Sequence, residues 1–212
     1  MIVASTPGGN IFELACAVLV SLAFSLSLPA RGQEKAEHRA GLLFDGTYDQ
    51  AEVARKIEGA HHTQLVAAHE WDYGVKNFTR AEWEEQKLDW GSYLTGAKKL
   101  ADEIAGRVKP ELVRDSRGVI QYAVLREKDP FLSSVILSPH FLKIFAETLG
   151  DQLQVVVVDR NLLYVFPADG GQLEEYGPAI VEHFRAAPLR VSLEVFLVNK
   201  RGFRVVGELE RN

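Results

Sequence analysis

Residues 154–167 read QVVVVDRNLLYVFP, and their pattern decides the fold. Val155 to Val158 and Leu162 to Phe166 are β-branched, aliphatic or aromatic runs, and Asp159, Arg160 and Asn161 between them are turn formers. Two strands joined by a tight polar turn form an antiparallel hairpin. The apolar residues are continuous rather than alternating, so both faces of the hairpin are expected to be covered, as in the middle of a sheet.

Working outward toward the C-terminus, the loop 168–171 (ADGG) separates the hairpin from a helix expected over residues 173–187, with Tyr176, Ile180, Val181 and Phe184 on its buried side and Pro188 as its stop. Residues 189–198 (LRVSLEVFLV) alternate Leu and Val against Arg, Ser, Glu and Phe, the pattern of a half-exposed strand. Residues 199–202 then turn the chain into a final partner strand over 203–209. Toward the N-terminus, a helix over 139–149 is expected. Ser138 caps it, Pro139 occupies its first position, and Gly150 stands where a left-handed residue closes a helix. Two strands precede it, residues 119–126 (VIQYAVLR) and the short apolar 133–137 (SSVIL). The expected class is α+β, with an antiparallel sheet in the order β-β-α-β-β-α-β-β over residues 115–212.

Before this domain, residues 42–114 are expected to be mainly helical. Val53 and Ile57 lie four apart with Gly59 as a stop, and 65–75 (LVAAHEWDYGV) is helix-compatible in its first half. Thr79 opens the clearest helix, with Glu82 completing a capping box. Trp83, Trp90, Ala97 and Ile104 recur every seven residues as one apolar stripe, and Pro110 ends the element. Such a stripe is ordinarily core, but its two tryptophans are also candidate contacts for a ligand or partner.

Residues 33–41 are a charged linker, and residues 11–28 (IFELACAVLVSLAFSLSL) are a signal peptide or a retained anchor. As a helix, 14–28 would be roughly 22 Å long, short of a roughly 30 Å hydrocarbon core, which favours a cleaved signal. Ala30-Arg31-Gly32 offers small residues at the spacing a peptidase reads, which gives a leader of residues 1–32. Against it stand the missing basic flank and Glu13. The chain is therefore expected to be exported, periplasmic or extracellular, or membrane-anchored through residues 11–28; a cytoplasmic location is the third option.

The C-terminal sequence LSPHFLKIFAETLGDQLQVVVVDRNLLYVFPADGGQLEEYGPAIVEHF, followed by VSLEVFLVNKRGFRVVGELE, resembles the YtpQ-type family of uncharacterised bacterial proteins over residues 119–210. The resemblance implies a β-rich core with a closing strand pair. It implies no catalytic residues, and it includes neither the apolar leader nor the tryptophan-bearing helix.

Composition narrows the function. The 212 residues are 47% hydrophobic and 25% charged with a net charge of -5, so a domain core is affordable in size and a basic nucleic-acid surface is not expected. Cys16 is the single cysteine and lies in the apolar leader, which leaves the body without a disulfide or a thiol nucleophile. No phosphate loop, dinucleotide fingerprint, zinc helix or nucleophile elbow occurs. His61, His62, His69 and Glu70 resemble metal ligands in type, but on one helix His62 and His69 would stand about 10 Å apart, too far to share an ion. No metal or cofactor is expected.

The best polar constellation is Asp159 and Arg160 at the hairpin turn, with His140, Asp169 and His183 as distant candidates. Arg190, Lys200, Arg201 and Arg204 form a basic stretch that suits a protected strand edge. The expectation is a non-enzymatic binding or interaction module that meets a protein partner through its sheet edge or the Trp83/Trp90 helix. The alternative is a hydrolase-like enzyme with a dispersed site near Asp159 and Arg160.

Overall fold

The computed structural model describes residues 38–170 and 172–209. The apolar run 11–28, the Ala30–Gly32 triplet and linker residues 33–37 lie outside them. Strands β1 (Ala40–Gly46), β2 (Ala54–Lys56), β3 (Thr63–Trp71) and β4 (Gly74–Asn77) make a first antiparallel sheet, in which β3 pairs with each of the others. Helices α1 (Arg80–Glu85) and α2 (Trp90–Arg107) follow. A six-stranded antiparallel sheet is then built from β5 (Glu111–Arg114), β6 (Ile120–Arg126), β7 (Leu153–Asp159), β8 (Leu162–Pro167), β9 (Glu194–Asn199) and β10 (Gly202–Glu208), in the order β10-β9-β7-β8-β6-β5. A 3-10 helix (Leu132–Leu137) and α3 (Phe141–Phe145) lie between β6 and β7, and α4 (Gln172–Ala186) between β8 and β9. The class is α+β.

The hairpin β7–β8 is the central pair of the larger sheet, and its unbroken apolar sequence has a simple cause. Val155, Val157, Leu163 and Val165 point into one core, which they share with β1, β3, α2 and the 3-10 helix. Val156, Val158, Tyr164 and Phe166 point into a second core under Ile180, Val181 and Phe184 of α4. Each such buried side chain contributes about 1.5–3 kcal/mol relative to exposure. The ladder slips by one residue between Val157 and Asp159, a bulge that re-aims the turn.

Several expectations need correction. Residues 42–77 form strands joined by turns, with one 3-10 turn and no α-helix. Val66, Ala67 and Ala68 of β3 are fully buried between β1 on one side and β2 and β4 on the other, and this two-sided pairing overrides the helix propensity of the alanines. Strand β5, which precedes residue 115, pairs with β6, and the first core draws residues from both sides of that position. Residues 133–137 are not a strand; they belong to the 3-10 helix, buried at every position, where the Ser133 hydroxyl accepts the Phe44 N–H at 3.3 Å. The helix expected over 139–149 shrinks to Phe141–Phe145, and Gly150 does take a left-handed conformation (φ 89°). The strand expected from Leu189 begins at Glu194, and it is buried on both faces, with Phe196 in the first core and Val195 in the second.

The tryptophan-bearing helix is two helices. The Thr79/Glu82 capping box is present in full, but Lys87 turns left-handed (φ 53°) and Asp89 caps α2 by accepting the N–H groups of Gly91 and Ser92. The seven-residue stripe survives this break because the two indoles pack directly, with ring centroids 5.2 Å apart.

Candidate functional site

The turn at Asp159–Asn161 begins with a carboxylate that is wholly spent on backbone. Asp159 is buried; one oxygen accepts the Asn161 N–H and the other the Leu189 N–H, both at 2.8 Å. Arg160 N–H donates to the Leu189 carbonyl at 3.1 Å, and Asp159 forms an isolated bridge with Arg190. These bonds fasten the stretch after α4 to the tip of the hairpin. They leave the Arg160 side chain pointing at the end of β1, 115 residues away in sequence, where its Nη2 donates to Asp45 Oδ2 at 2.5 Å and lies 3.6 Å from Asp49 Oδ2.

Asp45 is 1% exposed, and its other oxygen accepts the Gly46 N–H at 3.0 Å. Burial pushes its carboxyl above the usual range, and the Arg160 guanidinium opposes that shift only in part. The chain then makes a single 3-10 turn, Thr47–Asp49, closed by Gln50 in the left-handed region (φ 45°). This turn sets Tyr48 out toward solvent, 62% exposed, with its hydroxyl donating to the Arg190 carbonyl. Partial burial and the neighbouring Asp45 and Asp49 carboxylates push the Tyr48 hydroxyl up, so it acts as a hydrogen-bond donor and not as a base.

Asp45, Tyr48, Asp49, Arg160, Phe184, Pro188, Leu189 and Arg190 line a cleft of about 500 Å³. Arg160 is half-buried in its floor, and Asp49 and Arg190 are exposed at its rim. One carboxylate and one guanidinium at the rim, with a phenol between them, suit a ligand group that carries both charges.

The remaining candidates go elsewhere. Trp83 is 6% exposed, packed by Phe78, Tyr93 and Trp90, and is core instead of contact surface. Trp90 is half-buried beneath the Arg55 guanidinium, 4.7 Å from the ring centroid. Asp169 is exposed in the loop before α4. His183 faces outward on α4 with Nδ1 against the Tyr164 hydroxyl. His140, Ser138 and Asp102 do meet, with Ser138 Oγ donating to Asp102 Oδ1 at 2.5 Å and His140 Nδ1 at 3.3 Å from the same oxygen. The order is wrong for a hydrolytic triad, since the carboxylate and not the imidazole contacts the hydroxyl. None of His140, Asp169 and His183 lines the cleft.

His61 and His62 donate their backbone N–H groups to Glu194 Oε1 at 2.6 and 3.0 Å, His69 packs on Phe78, and Glu70 is held by Arg39. Among the described residues no three His, Cys, Asp or Glu side chains converge as a metal centre requires. The basic stretch divides: Arg190 joins the cleft, Lys200 pairs with Asp151 at 2.6 Å, and Arg204 lies on the edge strand β10. Asp45, Tyr48 and Asp49 were outside the sequence-based candidates; the only local hint is the turn-rich stretch DGTYD with an aromatic between two aspartates.

Comparison of the chain with protein-family models, with curated proteins and with solved structures finds no match.

Proposed function

We propose that the chain is a non-enzymatic binding module of the cell envelope, and that its contact site is the cleft between the end of β1 and the β7–β8 turn. The observation that carries this reading is the state of the carboxylates. Asp45 and Asp159 each have both oxygens engaged by an N–H group or a guanidinium, so neither is a base poised over the cleft, while Asp49, Tyr48 and Arg190 face solvent at its rim. The same state counts against a hydrolase centred on Asp159 and Arg160. The partner is a protein or small molecule presenting a carboxylate to Arg190 and a donor group to Asp49, as a chain terminus or an amino acid does.

The envelope part of the proposal is supported by the apolar composition of residues 11–28, which exports or anchors the chain. The likeness of residues 119–210 to the YtpQ-type family belongs to the same proposal and adds no catalytic residue. Thermal unfolding of the full chain with free glutamate tests the cleft. The midpoint rises with glutamate concentration in the native protein and stays fixed in Arg190→Ala. An equal rise in both proteins removes the cleft from the reading.

A further inference from the structure

Strand β3 ends at Trp71 and returns through Asp72 and Tyr73 to Gly74, which opens β4. Trp71 is 43% exposed and Tyr73 84%, an unusual use of two large rings at one hairpin tip. The ladder partner of Trp71 is Gly74, whose positive φ (133°) favours glycine, so no cross-strand side chain covers the indole. Tyr73 meets it only edge-on, with ring centroids 4.9 Å apart at 70°.

The chain reaches the first sheet beside this tip. His38 Nε2 lies 3.7 Å from Asp72 Oδ1, the Arg39 carbonyl accepts the Glu70 N–H at 2.8 Å, and Ala40 pairs with His69. Residues 29–37 separate His38 from the apolar run 11–28 and span at most about 35 Å when fully extended. A bilayer that holds residues 11–28 therefore lies within that reach of His38, and Trp71 and Tyr73 are the exposed rings next to it. Trp and Tyr are the side chains that concentrate at the headgroup level, because each has an apolar body and a polar edge.

The charges around the tip decide the kind of surface. Arg39 is bound to Glu70 and Asp129, Lys76 to Glu82, and the acidic Asp72 is 80% exposed beside His38. Among the described residues the tip carries no basic patch for anionic lipid. We infer that Trp71 and Tyr73 seat the β3–β4 tip in the headgroup layer of the bilayer that retains residues 11–28, through apolar contact with zwitterionic lipid. The inference rests on the membrane-anchored form of the envelope reading.

The test uses the full chain reconstituted with phosphatidylcholine vesicles that carry acyl-chain bromines near the headgroup. The tip contact predicts quenching of tryptophan fluorescence in the native protein, loss of that quenching in Trp71→Phe, and its persistence in Trp83→Phe. It also predicts that raising the salt concentration leaves the quenching unchanged. A chain that floats with the vesicles but shows equal quenching in the native protein and Trp71→Phe, or none in either, overturns the tip contact and leaves the anchor standing. A chain that does not float overturns both.

Discussion

The Trp83–Trp90 pair and the Asp45–Arg160 cleft are both built from side chains of the kind that dominate interfaces, and the protein uses them in opposite ways. The tryptophans pack on each other at 5.2 Å with Trp83 buried, and they hold α1 and α2 against the first core. At the cleft, a charged floor is sealed by hydrogen bonds while Asp49, Tyr48 and Arg190 are exposed at the rim. An aromatic stripe with helical spacing is satisfied within its own fold. Charges drawn from positions 115 apart in sequence form a surface that still presents Asp49 and Arg190 to solvent. Substitutions in the first region should therefore change stability without changing binding, and substitutions at the rim should do the reverse.

The sharpest way to break that contrast begins with Trp83→Ala. Removing a buried indole should cost about 3–5 kcal/mol, read from urea unfolding, and the surviving folded fraction should bind glutamate as the native protein does. Next comes Arg160→Ala, which leaves the buried Asp45 carboxylate without its guanidinium and should cost about 3 kcal/mol at neutral pH. Asp45→Asn should cost less, because it removes the buried charge itself.

The pH dependence follows from the direction of the Asp45 shift. Its folded carboxyl is raised above the unfolded value of about 3.9, so folding favours the neutral acid and this group's contribution falls as pH rises between the two values. Loss of Arg160 raises it further. The deficit of Arg160→Ala should therefore shrink as the solution is acidified toward pH 4, and an unchanged deficit would mean that Asp45 is not carrying the buried charge.

Glu82→Ala removes half of the capping box under Trp83 and should cost about 1 kcal/mol. The Lys76 ammonium and the Thr79 N–H hold the Glu82 carboxyl down at about 2, against an ordinary 4.5. Its contribution is thus complete above pH 4.5 and is lost as pH falls through about 2, the opposite sign to Asp45. The smallest stability effect belongs to Arg190→Ala, within about 0.5 kcal/mol, because the bonds that fix residue 190 use its backbone.

The parts of the molecule that were legible in sequence are those set by neighbours along the chain. The hairpin runs on either side of Asp159–Asn161, the Thr79/Glu82 cap and the left-handed Gly150 each depend on a few adjacent residues. Strand β3 was not legible, since TQLVAAHEW has no strong period and becomes a strand only through β1, β2 and β4. The 3-10 helix at 132–137 was likewise hidden, because a short apolar run reads alike for a buried strand and a buried turn of helix. Arg160 was visible as a turn residue, but Asp45 as its partner was not, since the pairing exists only after the two sheets share a core.

The most direct test of the cleft as a contact site is a two-dimensional amide spectrum of the full chain titrated with glutamate. The account predicts shifts confined to the amides of Asp45 to Asp49, Arg160, Leu189 and Arg190, absent in Arg190→Ala. Shifts that centre on Trp83 and Trp90 instead, or that persist unchanged in Arg190→Ala, would contradict it.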